Sequence, residues 1–159
     1  MSVKFIVDEI LEALFERYIE SHGTGRLDIS YIAEKHDLDP HYVGNYLVEH
    51  GLVKNQAFEA TGFLASISQY AIDKIRPDYF RNYQDKLLLV LGEHARGYYS
   101  IMQILEIEPQ DFQLAFDIAK YIERYGYINA NATSHDINVS ITDDGVAYYN
   151  LHKPTFFSL

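Results

Sequence analysis

The chain contains no cysteine. That excludes disulfides, thiolate metal sites and cysteine nucleophiles. It has no long apolar stretch either. The longest run, Leu87 to Leu91, is far too short to span a bilayer, so no membrane partner is expected. The segment Met1 to Ile10 has no basic stretch leading into an apolar run, so no signal peptide is read there and the expectation is a soluble, cytoplasmic protein. Basic residues are scarce: 13 Lys plus Arg stand against 23 Asp plus Glu, a formal charge of −10 over 159 residues. Proteins that grip nucleic acid neutralise phosphates with Lys and Arg. The balance therefore disfavours DNA unless the few cations cluster on one face. What is present is the composition of a folded chain, 48% hydrophobic and 23% charged, which argues against disorder. The length suits one domain, or two of roughly 75 residues each.

Catalytic signatures are also missing. Gly23 and Gly25 follow a helix rather than a strand, so no phosphate loop is formed. There is no Gly-x-Ser-x-Gly element and no pair of acids with an evident pocket. No enzyme activity and no cofactor are expected. Of the seven histidines, His36, His41 and His50 are close in sequence but lack the three- or four-residue spacing of helical ligand pairs. His94 reads as a core-edge residue, and His135 and His152 stand alone, so no metal is expected.

The first helix is marked by Val7, Ile10, Leu11, Leu14, Phe15, Tyr18 and Ile19 at spacings of three and four, with Gly23 as its natural C-cap. A second helix follows a cap at Asp28 or Ser30 and turns Ile29, Ile32 and Ala33 inward. His36 to Asp39 reads as a turn. Pro40 then opens a third helix to His50, with Val43, Tyr46 and Leu47 inward and Gly51 as its stop. Leu52 and Val53 resume as strand, Ala57 to Ile67 forms a hairpin turning near Thr61-Gly62, and Ser68 caps a short helix ended by Pro77.

The same pattern recurs. Tyr46 to Val53 aligns with Tyr121 to Ile128 at an offset of 75, Ser66-Ile67-Ser68 with Ser140-Ile141-Thr142 at 74, and Pro77 to Phe80 with Pro154 to Phe157 at 77. Ordered matches at nearly equal offsets argue for an internal duplication. In the second copy, Tyr83, Leu87, Val90, Leu91 and His94 make the first helix and Tyr98 to Leu105 the second. Pro109 to Tyr125 is the third, with Phe112, Phe116 or Ala115, Ala119 and Ile122 on its stripe. Asn129 to Asn138 reads as a polar hairpin tip, Val139 to Ile141 as the returning strand, and Thr142 as the cap of a last helix with Asp143 and Asp144 in its first turn.

These residues resemble the winged helix-turn-helix superfamily. Tyr121 to Ile128 looks like the end of a recognition helix running into a wing strand. Val139 to Val146 looks like the second wing strand entering a closing helix, as in MarR-type and PadR-type regulators. The first copy departs from this pattern, with Gln69-Tyr70-Ala71 in place of Asp143-Asp144-Gly145. The resemblance implies a mainly α fold with small β-hairpins, two tandem winged-helix domains at 1–79 and 80–159. It further implies that the third helix of each copy reads DNA.

Residue by residue, the first copy offers His41, Tyr42 and Asn45, of which Asn45 has the chemistry to pair with adenine. The second offers Lys120 and Arg124 against Asp111, Asp117 and Glu123. The first wing carries Lys54 and Glu59, and the second has no Lys or Arg and contains Asp136. Wings that grip DNA bring basic residues to it. Net positive charge occurs only over 74–96, through Lys74, Arg76, Arg81, Lys86 and Arg96. The tyrosines, 14 in number, include the neighbours Tyr98-Tyr99 and Tyr148-Tyr149. With Phe156 and Phe157 these suit either an exposed aromatic patch or the packing between copies.

Two functions remain in contention. One is a DNA-associated, transcription-regulator-like, non-enzymatic winged-helix protein, which the resemblance implies. The alternative is an acidic tandem winged-helix module for protein–protein interaction or complex assembly, with a protein partner or a homodimer in place of DNA. Acidic tandem winged-helix proteins of chromosome-segregation or sorting complexes provide the analogy, and the charge-poor wings favour it.

Overall fold

The computed structural model describes the backbone of residues 3–157 and the side chains of residues 3–153. The aromatic patch expected at Phe156 and Phe157 lies outside the described side chains. The protein is mainly helical, with two small antiparallel sheets of three strands each. It divides into two compact units, Met1–Pro77 and Asp78–Leu159.

The first unit runs α1 (Val7–Glu20), β1 (Leu27–Asp28), α2 (Ser30–Lys35), α3 (Pro40–Glu49), β2 (Val53–Phe58), β3 (Phe63–Ile67) and α4 (Gln69–Ile75). The stripe of α1 buries Ile10, Leu11, Leu14 and Tyr18, but Ile19 is exposed. The helix ends at Ser21 rather than Gly23, and His22 and Gly23 both take positive φ beyond it. Asp28 Oδ1 accepts the Ser30 N–H at 2.9 Å, so Asp28 holds the start of α2. Ile29, Ile32 and Ala33 are buried as expected. Val43 and Leu47 of α3 are buried too, while Tyr46 is only half-buried. The hairpin closes with the Glu59 N–H on Gly62 O, at the expected Thr61-Gly62 turn.

The second unit runs α5 (Asp78–Glu93), β4 (Tyr99–Ser100), α6 (Ile101–Leu105), α7 (Phe112–Arg124), β5 (Ile128–Ala132), β6 (Ile137–Ile141) and α8 (Asp143–Phe157). Several expectations need correction here. Tyr99–Ser100 is strand, not helix, and pairs with Val139 and Asn138. Pro109–Asp111 is a separate 3-10 turn before α7. Ala115, Ala119 and Ile122 are buried as expected, but Phe112 and Phe116 are half-buried and Leu114 and Ile118 join the core stripe in their place. Asn129 to Asn138 is largely strand, with its turn confined to 133–136. His94 is exposed beyond the end of α5.

The sheet orders correspond, β1-β3-β2 and β4-β6-β5. So do the helix starts after each hairpin. Ser68 Oγ donates to Gly51 O at 2.7 Å and accepts the Ala71 N–H. Thr142 Oγ1 donates to Gly126 O at 2.6 Å and accepts the Gly145 N–H. Gly51 and Gly126 sit at φ +67° and +79°, a conformation that strains any residue with a Cβ. The third aligned match diverges: α4 ends before Pro77, whereas α8 continues through Pro154. No helix among the described residues is long and apolar enough to cross a membrane.

Candidate functional site

The face that sequence singles out in the first unit is the outer side of α3. Asp39 fixes its start, with Oδ1 accepting the His41 N–H at 2.8 Å and Pro40 in the first helical position. Gly44 lets the helix lie directly on the sheet: a Cβ there would come within 2.5 Å of the Phe63 ring. The outward residues are therefore Tyr42, Asn45 and Glu49, with Tyr42 60% exposed. His41 is half-buried. Its Nε2–H donates to Glu59 O at 2.6 Å, and its ring meets Phe58 edge-on at 5.5 Å. That side chain ties the helix to the hairpin tip. Phe58, on the hairpin, is itself 46% exposed. Alternation gave no warning of this, because β2 shifts register between Lys54 and Ala57. Lys54 lies half-buried at the base of that strand, opposite Ser66.

Three of the five cations of 74–96 are held by acids. Arg76 makes two bonds to Glu12, at 2.9 and 2.6 Å, and lies over the Phe15 ring. Arg81 pairs with Asp78 at 3.3 Å and Arg96 with Asp143 at 3.1 Å. Exposed pairs of this kind add little stability, but each cancels a charge that phosphate would need. Lys74 and Lys86 are exposed. On α7, Lys120 reaches Glu123 at 3.3 Å and the Phe116 ring, while Arg124 lies over the rings of Tyr121 and Tyr125. Asp117, expected outward, is buried, and its Oδ1 accepts from Gln113 Nε2 at 2.9 Å.

No family model matches this chain, and no curated protein matches it in sequence.

Several histidines are engaged structurally. His50, His94 and His152 each bond through Nδ1 to the carbonyl four residues earlier, on Tyr46, Val90 and Tyr148. His36 faces Glu9, whose carboxyl is held below its ordinary range chiefly by hydrogen bonds from Lys35 and His36. Among the described residues, no group of three His, Asp or Glu is placed to hold a metal ion.

A cluster of shifted groups ties α8 to α5. Tyr148 Oη donates to Asp85 Oδ1 at 3.0 Å, and His152 stacks on the Tyr148 ring. Burial first, then the Asp85 bond, pushes the Tyr148 phenol up to about 12. Burial also raises Asp85, against the lowering effects of Tyr148, His152, Arg81 and Gln84. Below the ordinary aspartate value of 3.8 both folded and unfolded chains hold this proton, and no penalty exists. As pH rises past that value the unfolded chain ionises first, and the fold loses stability. Asp85→Asn keeps an acceptor for Tyr148. Its thermal midpoint should exceed that of the parent at pH 7, with the difference closing at pH 3. A difference that widens on acidification would refute this account.

Proposed function

We propose that the chain is a pair of winged-helix modules, joined between Pro77 and Asp78, that engages a protein partner rather than DNA. The matching sheet orders and the equivalent Ser68 and Thr142 caps support the paired winged-helix reading. The protein-directed reading is carried by the outer face of α3. That helix contains no Lys or Arg, presents Tyr42, Asn45 and Glu49, and is flanked by exposed Phe58. Tyrosine supplies contact area at low entropic cost, and aromatic anchors dominate protein interfaces. A groove of phosphates would meet an acid and aromatics there. The module acts without catalysis, in the cytoplasm.

Fluorescence anisotropy with a random-sequence DNA duplex, taken from low to physiological salt, tests this. Non-specific DNA binders reach Kd values of about 10⁻⁴ to 10⁻⁶ M at physiological salt, weakening steeply as salt rises. This protein should show no such salt-dependent binding. Affinity purification should recover a partner that the Tyr42→Ala/Phe58→Ala double variant loses. Steep salt-dependent binding that Asn45→Ala weakens would instead establish the DNA-associated, regulator-like function.

A further inference from the structure

The two sheets guard their outer edges differently. In the first unit the edge strand β2 is broken: its register shifts between Lys54 and Ala57, and Asn55 sits at φ +53°. Bulges and charged residues of this kind blunt an edge against pairing with another chain. The edge strand of the second unit, β5, has neither device. All five residues pair in register with β6, from Ile128↔Ile141 to Ala132↔Ile137. From Tyr125 to His135 the sequence contains no Asp, Glu, Lys, Arg or Pro. Asn129, Asn131 and Ala132 are exposed.

The phase of the ladder shows which groups face outward. The Thr142 N–H donates to Tyr127 O at one end, and the Thr133 N–H to Asp136 O at the other. Antiparallel pairs alternate between bonded and non-bonded. Asn129 and Asn131 therefore bond to β6, while Ile128, Ala130 and Ala132 turn their backbone groups to the open side. One of these outward donors is covered: the Ala130 N–H bonds to Glu123 Oε2 at 2.9 Å. The same carboxylate group, through Oε1, lies 3.3 Å from Lys120 Nζ.

We propose that the open edge of β5 is a strand-pairing surface for a second copy of this chain, with Glu123 as the latch that keeps it closed. The edge is self-complementary. Antiparallel pairing centred on Ala130 sets Ala130 of one copy against Ala130 of the other, Asn129 against Asn131, and Ile128 against Ala132. Small side chains and facing amides suit close approach, and the strand itself brings no like charges together despite the net −10 of each chain. The two Glu123 carboxylates would meet at the seam, so pairing requires that each give up its Ala130 N–H to the opposing carbonyl. This surface is independent of the α3 face.

Sedimentation velocity over a concentration series reads the outcome. Glu123→Ala frees the Ala130 N–H and removes the repulsion, and should strengthen self-association at least tenfold over the parent. Adding Ala132→Pro to that variant should return it to monomer. Proline is tolerated on an edge strand where its nitrogen faces outward, so its circular dichroism should match that of Glu123→Ala. Ala132→Lys, which keeps the backbone donor but charges the seam, should weaken association in the same direction. An association constant unchanged by Glu123→Ala overturns the proposal. So does a Glu123→Ala dimer that neither position-132 substitution weakens.

Discussion

Gly145→Ala should destabilise the second unit by about 1–3 kcal/mol, the range for overpacked sites, although glycine-to-alanine changes inside helices are ordinarily favourable by up to about 1 kcal/mol. The reason is a close approach. A Cβ at Gly145 would lie 2.2 Å from the backbone oxygen of Tyr127 and 2.7 Å from Ile141 Cγ1. Backbone oxygen cannot swing aside as a side-chain tip can, so α8 or the start of β5 must shift. The equivalent position in the first unit already carries a methyl group: Ala71 is fully buried and, like Gly145, donates its N–H to the capping hydroxyl. There the reverse change, Ala71→Gly, should cost about 1 kcal/mol through helix propensity and lost burial. Thermal melts of the two variants check this, with a shift of about 4–8 °C per kcal/mol for a unit of this size. If Gly145→Ala raises the midpoint, the closeness of α8 to Tyr127 is wrong.

That pair of positions also shows how far the sequence could be read. The departure of Gln69-Tyr70-Ala71 from Asp143-Asp144-Gly145 is plain in the aligned residues, but its spatial cause is not. The fold alone brings the Tyr127 carbonyl over Gly145. Elements with strong local signals were legible: α1 from its apolar stripe, α3 from Asp39-Pro40 and Gly51, and the helices after each hairpin from Ser68 and Thr142. β1 and β4 were not, because two residues carry no period and their pairing with Leu64, Ala65, Asn138 and Val139 is entirely non-local. In sequence β5 reads as a polar hairpin tip, and asparagine is depleted in strands. Its pairing with β6 prevails over that preference.

For the candidate site, the residue types were legible and their partners were not. Arg76 and Glu12 are 64 positions apart, and Arg96 and Asp143 are 47 apart. Charge counted by segment gives 74–96 a positive surplus that these long-range bonds remove. Helical phase places Asp117 outward, yet Gln113, one turn earlier, supplies the hydrogen bond that permits its burial. In sequence His41 reads only as a residue in the first turn of α3. The hairpin tip that occupies it comes 18 positions later.

Phe63→Ala should be the most damaging single substitution in the first unit. Phe63 is completely buried and is among the largest side chains so placed. Truncating such a phenylalanine costs about 3–5 kcal/mol through lost transfer energy and the cavity left behind, against a total stability of about 5–15 kcal/mol for a typical domain. The site is shaped by Gly44, whose missing side chain makes room for the ring, and by Phe58, 4.8 Å away centroid to centroid. Gly44→Ala alone should also destabilise, because its methyl would overlap the ring atoms at 2.5–2.9 Å. The two losses should not add. In a Gly44→Ala/Phe63→Leu double variant the smaller side chain yields space to the new methyl, and residues in contact couple by about 0.5–3 kcal/mol. A double-mutant cycle from urea melts measures that coupling, and strict additivity would show that α3 does not rest on Phe63. The same cycle bears on function. Phe63 sets the height of α3 above the sheet and touches Phe58, so it governs how Tyr42 and Phe58 are presented together. A folded Phe63→Leu variant should therefore bind the partner more weakly than its stability loss alone explains, because the support that α3 and Phe58 take from the Phe63 ring would be altered.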